Sequence, residues 1–229
     1  MHVFLSFSIL PQPNLTLHGT ALTYTNEYKY LGVQINSDLS WRTHINTIIA
    51  SANRILGYLS RRFKSASPVL KRLLYTTIVR PKLEYASSIW SPHQLILENK
   101  IESVQNCTVR FILSDYSRFS SVSAMKAQLD IPNLSVRRNI SRLCLLHKIY
   151  YHPTLHHSLL HPPTYISPRF DHPCKIARPK CNSTAYLYSA LPDAIVSWND
   201  LPENIVTISD GILFRRVINN RLTNPHSPL

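Results

Sequence analysis

Hydrophobic positions change period near residue 40 of this 229-residue chain. Before that point, residues 28–35 (Tyr-Lys-Tyr-Leu-Gly-Val-Gln-Ile) alternate at Tyr30, Val33 and Ile35 and end on the turn formers Asn36, Ser37 and Asp38. Alternation with β-branched and aromatic residues predicts a half-buried strand. Gly32 inside it marks a bulge or a place where another backbone comes close. Residues 4–9 and 15–17 are further strand candidates, with His18-Gly19 expected to make the turn between 15–17 and 28–35. Two or three short strands do not stand alone in water, so this sheet is incomplete or lies on the helices behind it.

After Ser40 the period becomes 3.6. Trp41, Ile45, Ile48, Ile49, Ala52, Ile55, Leu56, Leu59 and Phe63 share one face of a helix for which Ser40 is the expected N-cap. Ser67-Pro68 opens a second helix carrying Val69, Leu70, Leu73, Leu74, Thr77 and Ile78, with Pro81 expected to break or kink it and residues 82–90 able to resume it. Periodicity predicts further helices over 95–113, 121–129 and 133–150, the last with Arg137, Arg138, Arg142 and Lys148 facing outward. Short polar connections favour antiparallel bundle packing. Six prolines then interrupt 152–180, which reads as a linker or extended loop. Residues 191–202 and 211–222 close the chain, with Trp198 as a packing anchor, Arg215, Arg216 and Arg221 on a terminal basic helix, and Pro225 and Pro228 ending the order.

Composition adds a partner class. Lys and Arg number 25 against 12 Asp and Glu, a net charge of +13 that suits a polyanion, nucleic acid before membrane. Residues 39–83 hold nine Lys or Arg and no acid. A solvated helix face normally mixes both signs, because opposite charges at i,i+4 support it. One-signed charge over this stretch is better explained by a phosphate track, with Arg54, Arg61, Arg62, Lys64, Lys71 and Arg72 as its residues.

The order of motifs extends the reading. Asn14–Gly19, Tyr28–Val33, Asp38-Leu39-Ser40-Trp41 with His44-Ile45, Arg80-Pro81-Lys82-Leu83-Glu84-Tyr85-Ala86 with Trp90, Ile101–Asn106, Arg110-Phe111-Ile112 and Ser197-Trp198-Asn199-Asp200-Leu201-Pro202 follow one another. In that order they resemble the end of the palm, the thumb and the C-terminal region of reverse transcriptases from non-LTR, jockey-like retrotransposons. The resemblance implies a mainly α fold: a short N-terminal β-hairpin from an incomplete palm, packed on an antiparallel helical thumb, then a proline-rich C-terminal region. Its divisions are 1–38, 39–151, 152–182 and 183–229. It implies that Lys29, Tyr30 and Gly32 form a primer grip, and that the partner is RNA or an RNA–DNA template-primer duplex.

Chemistry is limited by what is missing. A polymerase holds two Mg2+ ions on carboxylates, and the resembled enzymes place these on an Asp-Asp hairpin. This chain has no Asp-Asp pair, and the fingers would lie upstream of Met1. No catalytic residue, resident cofactor or metal is therefore expected; Mg2+ belongs to the intact family enzyme. No phosphate-cradling glycine loop, Gly-x-Ser-x-Gly elbow or His-Glu-x-x-His helix is present. Zinc is suggested by His152, His156, His157, His161, His172, Cys174 and Cys181, but the cysteine spacing matches no zinc pair or knuckle. Scattered cysteines and the lack of a signal peptide or spanning segment point to the nucleus or cytoplasm. Three readings stand: a truncated retrotransposon reverse transcriptase without its catalytic carboxylates, a self-contained helical nucleic-acid-binding module, and a structural protein whose charge is incidental.

Overall fold

The computed structural model describes residues 15–223. The strand expected at 4–9 and the prolines at 225 and 228 lie outside them. The protein is mainly helical, with short antiparallel hairpins at the N-terminal side, as expected.

Those hairpins turn on two residues each. β1 (Thr16–Leu17) pairs with β2 (Thr20–Ala21) through His18-Gly19, and β3 (Glu27–Tyr30) pairs with β4 (Val33–Asn36) through Leu31-Gly32. Leu31 and Gly32 have φ of 45° and 85°, the geometry of a type I′ turn, whose twist matches the flanking strands. The bulged single strand expected over 28–35 is therefore a hairpin, and Gly32 is a turn residue. The alternation misled because a two-residue turn preserves it: Tyr28 pairs with Ile35 and Tyr30 with Val33, placing all four on one face.

α1 (Arg42–Arg62) buries Ile45, Ala52, Leu56 and Leu59. Its N-cap is Trp41, not Ser40, whose N–H instead donates to Asp38 Oδ1 at 2.9 Å. α2 (Pro68–Leu74) begins at Ser67, whose Oγ accepts from the Leu70 N–H. It runs on through a π-helical turn, Tyr75–Val79, into α3 (Arg80–Glu84). Pro81 does not break it: the Arg80 N–H donates to the Tyr75 carbonyl five residues back, and the wide turn accepts a ring that has no N–H to offer. The helix ends at Glu84, and Ala86, at φ 53°, turns the chain away before Trp90.

α4 (Leu95–Leu113) and α5 (Val122–Gln128) follow, then α6 (Leu134–Tyr150). Beyond them lie α7 (Pro153–Leu159), α8 (Thr184–Leu187), α9 (Ala190–Asn199), α10 (Glu203–Val206) and α11 (Gly211–Thr223). Among the described residues, buried apolar side chains form two clusters, and α6 serves both: Leu134 lies in the first, Ile140, Leu143 and Leu146 in the second. Its arginines do not all face outward as expected. Arg137 pairs with Glu84, Arg142 with Asp193, and buried Arg138 reaches Glu98 at 3.4 Å. A helix shared by two cores has its polar face covered as well, so its cations must find carboxylates. Only Lys148 of the four stays exposed.

The second cluster also takes in Leu160 and Ile176 from the proline-rich stretch, which is irregular beyond α7. Trp198 holds that stretch: it is fully buried, and its indole N–H donates to the Cys174 carbonyl at 2.9 Å. Asn199 brackets Ile176, accepting from its N–H at 3.0 Å and donating to its carbonyl at 2.8 Å.

Candidate nucleic-acid interface

The β3–β4 hairpin is seated at the N-terminal end of α1. Asn36 Nδ2 donates to Thr43 Oγ1 at 3.0 Å, Thr43 Oγ1 donates to Glu27 Oε1 at 3.2 Å, and the Gln34 N–H donates to His44 Nδ1 at 3.3 Å. Val33 is the hairpin residue that enters the first core. The turn leans on the end of α3, where the Tyr85 hydroxyl donates to the Leu31 carbonyl at 2.8 Å. Lys29, Tyr30 and Gly32 are all exposed. The hairpin therefore presents a backbone turn, an aromatic ring and an ammonium group to solvent while its other contacts fix it.

The basic residues divide. Arg54, Arg61, Arg62, Lys64 and Arg72 are exposed, and none forms an ion pair among the described residues. On α1, Arg54, Tyr58, Arg61 and Arg62 fall on one stripe opposite Ile45, Ala52 and Leu59, as 3.6 residues per turn requires. Arg62 lies over the Tyr58 ring, 5.9 Å from its centroid. Lys71 differs from its expected role as a track residue. It is 2% exposed, its ammonium donates to Ser114 Oγ at 2.7 Å and stands 5.1 Å from the Phe111 ring centroid. A long aliphatic stem lets a lysine serve a core position, and here the head follows it inside.

Hairpin and cations are not brought together: the hairpin sits at the N-terminal end of α1, Arg54 at its middle, Arg61 and Arg62 at its C-terminal end, Lys64 just beyond it and Arg72 on α2. At about 1.5 Å per residue, Arg54 lies about 16 Å and Arg62 about 28 Å along the axis from Thr43. Two residues that sequence reasoning left without a role complete the site: Tyr85, which supports the turn, and His44, which accepts from the strand backbone. Their signal was position, an aromatic directly after a helix end and a histidine on the core side of α1. Burial lowers the His44 pKa below the ordinary histidine value.

Among the described residues, no three His, Cys, Asp or Glu side chains gather where they could hold a metal ion. The histidines of 152–172 are dispersed instead: His156 Nδ1 bonds the Tyr150 carbonyl, and His172 Nε2 bonds the Trp198 carbonyl. All four cysteines are free. No described helix is long and apolar enough to cross a membrane.

No protein-family model and no solved structure matches the chain. Among curated proteins, the RNA-directed DNA polymerase from mobile element jockey of Drosophila funebris is 34% identical to it over 103 residues. Over those residues the chain is similar to a mobile-element RNA-directed DNA polymerase. A second relative, the putative 115 kDa protein in type-1 retrotransposable element R1DM of Drosophila melanogaster, is 22% identical over 116 residues. The two matches cover 44% and 48% of this chain and 11% of each relative. The segments that carry the reverse-transcriptase resemblance prove to be joints of the fold. Glu84 of Arg80–Ala86 meets Arg80 and Arg137, Tyr85 meets the hairpin, and the Trp90 indole N–H donates back to the Tyr85 carbonyl at 2.7 Å. Glu102 accepts from the Leu134 N–H at the start of α6, and Gln105 accepts from the Tyr75 hydroxyl and donates to the Pro132 carbonyl.

Proposed function

We propose that this retrotransposon-related chain holds an RNA or RNA–DNA template-primer duplex by its sugar-phosphate backbone. Lys29, Tyr30 and Gly32 engage one end, and Arg54, Arg61, Arg62, Lys64 and Arg72 neutralise phosphates farther along. The observation that carries this reading is that these five cations are exposed and lack carboxylate partners among the described residues, whereas Arg137, Arg138 and Arg142 are paired. Exposed, unpaired cations favour a polyanion and read no sequence. Lys71 takes no part, being buried.

Binding here is separate from polymerisation. On this reading the chain lacks the catalytic carboxylates of a polymerase, because its sequence has no Asp-Asp pair, so nucleotide incorporation with added Mg2+ is expected to stay at background. The partner places the protein's work in the nucleus or cytoplasm. The test is fluorescence anisotropy with a labelled RNA–DNA duplex across a range of salt concentrations. Five phosphate contacts predict log K falling against log salt with a slope near about −4. The double variant Arg61→Gln/Arg62→Gln should flatten that slope by about two units. A flat salt response in the parent protein rejects the reading.

A further inference from the structure

A cleft of about 870 Å³ opens in the second half of the molecule, between the proline-rich stretch, the junction of α9 with α10, and the end of α11. Its volume lies in the upper part of the about 300–1,000 Å³ range of ligand clefts. Asn199, Asp200, Leu201 and Pro202, four residues of the resembled Ser-Trp-Asn-Asp-Leu-Pro segment, form part of its lining. This wall is fixed from behind, since Trp198 and Asn199 are bonded to the backbone at Cys174 and Ile176.

Two aromatic rings and several cations face this space. Phe170 is 88% exposed and Tyr165 70% exposed, yet both line the cleft. The backbone at Phe170 is held by a tight turn: Asp171 Oδ2 accepts from the Ser167 N–H at 2.7 Å and from Lys175 Nζ at 2.6 Å, and the Asp171 N–H donates to the Ser167 carbonyl at 3.0 Å. That ion pair removes Asp171 and Lys175 from the charge balance. Arg178, Lys180 and Arg221 remain, exposed and without ion pairs among the described residues, against one carboxylate, Asp200.

We infer that this cleft binds single-stranded nucleic acid, bases stacking on Phe170 and Tyr165 while Arg178, Lys180 and Arg221 meet the phosphates. Exposed aromatic rings beside a cationic wall are the physical requirement for sequence-tolerant single-strand binding. A duplex keeps its bases stacked on one another and cannot use the rings, so this site has a different substrate from the outer face of α1. The inference does not depend on duplex binding there.

The test uses the full chain and a short, labelled single-stranded oligonucleotide of mixed sequence. Tyr165→Ala/Phe170→Ala is expected to weaken single-strand binding by at least about fivefold for each stacked base lost. Arg178→Gln/Lys180→Gln/Arg221→Gln should make the salt slope shallower by about two units. Phe170→Trp keeps a ring and is expected to retain binding, which separates loss of stacking from loss of fold. RNA–DNA duplex affinity should stay within about twofold in all three, while Arg61→Gln/Arg62→Gln leaves single-strand binding in place. The inference is overturned if the single strand binds the Ala double variant as well as the parent, if Phe170→Trp loses binding as fully as that variant, or if a nucleoside monophosphate alone binds as tightly as the oligonucleotide.

Discussion

Tyr85 and Gly32 are matched in space: the tyrosine ring lies where a side chain at position 32 would project, its Cε1 3.3 Å from an ideal Cβ, while its hydroxyl holds the neighbouring Leu31 carbonyl. The bare glycine thus does two things. It supplies φ 85° for the turn, and it lets the end of α3 close against the hairpin tip. Rigidity of the tip follows from a contact between segments more than fifty residues apart in sequence.

Gly32→Ala should therefore undock the hairpin. Left-handed backbone costs a non-glycine residue about 1–2 kcal/mol, and the added methyl also displaces the Tyr85 ring. Tyr85→Phe keeps the ring and removes one partly solvated hydrogen bond, an effect of about 0.5–1 kcal/mol. The check is chemical denaturation of Gly32→Ala, Tyr85→Phe, Tyr85→Ala and the Gly32→Ala/Tyr85→Ala double. If ring contact is part of the alanine penalty, the double variant is less destabilised than the sum of the singles.

Asn199→Ala should be a severe change for a single polar residue. It strips both the Ile176 N–H and carbonyl of their partner, and stranding two backbone groups beside a core costs about 2–4 kcal/mol in all. Asn199→Asp retains the acceptor for the N–H but turns a carboxylate oxygen toward the Ile176 carbonyl, so it rescues little. Thermal unfolding of the three proteins decides between this bracket and a mere surface role, for which all three would melt together.

Legibility in the sequence followed how many constraints each segment carried. Residues 95–113 form a helix over the expected span because apolar spacing, length and the absence of proline agree. The 68–84 segment was legible as helix but not as a surface. Lys71, Tyr75, Val79 and Leu83 are inward, while Val69, at 79% exposed, and Leu73 face solvent. Inward positions every four residues drift around a straight α-helix, and the π turn, holding an extra residue, pulls the drift back. No periodicity count anticipates that. At the candidate site, Arg54, Arg61 and Arg62 could be placed outside because they oppose a long apolar stripe. Lys71 could not, since a short helix with apolar residues on both sides does not say which side is covered. The arginines of α6 were misplaced for a related reason: a helix between two cores has little free surface, and only the fold shows that there are two.

Acid should destabilise both halves of the molecule through buried histidines. His44 uses Nδ1 as an acceptor for the Gln34 N–H, and His147 is stacked on Phe214 with Nε2 on the Ile208 carbonyl. Burial lowers both pKa values below the ordinary 6.5, outweighing for His147 the opposing pull of the Ile208 bond and of Asp210. A folded-state pKa below the unfolded one means that the stabilisation is complete above the unfolded value and is lost as pH falls through the folded one. The melting temperature should therefore decline below about pH 6.5, and His147→Phe, which preserves the stack on Phe214, should show a weaker decline. A melting temperature flat down to the carboxylate range contradicts this.

Lys71 offers the sharpest separation of charge from contact. Its ammonium is buried against a serine hydroxyl and a phenyl ring, with no carboxylate partner among the described residues. Met has a similar length and shape and needs no hydration, so Lys71→Met should leave stability within about 1.5 kcal/mol of the parent or raise it. Lys71→Ala opens a cavity under Phe111 and should cost about 2 kcal/mol or more. Neither change touches the solvent-facing cations, so neither should alter the salt slope of duplex binding, whereas Arg62→Gln, at a surface position, should flatten it by about one unit at unchanged stability. Equal slope changes for Lys71→Met and Arg62→Gln would mean that bound nucleic acid draws Lys71 out of its pocket, and the division of the basic residues into track and core would then fail.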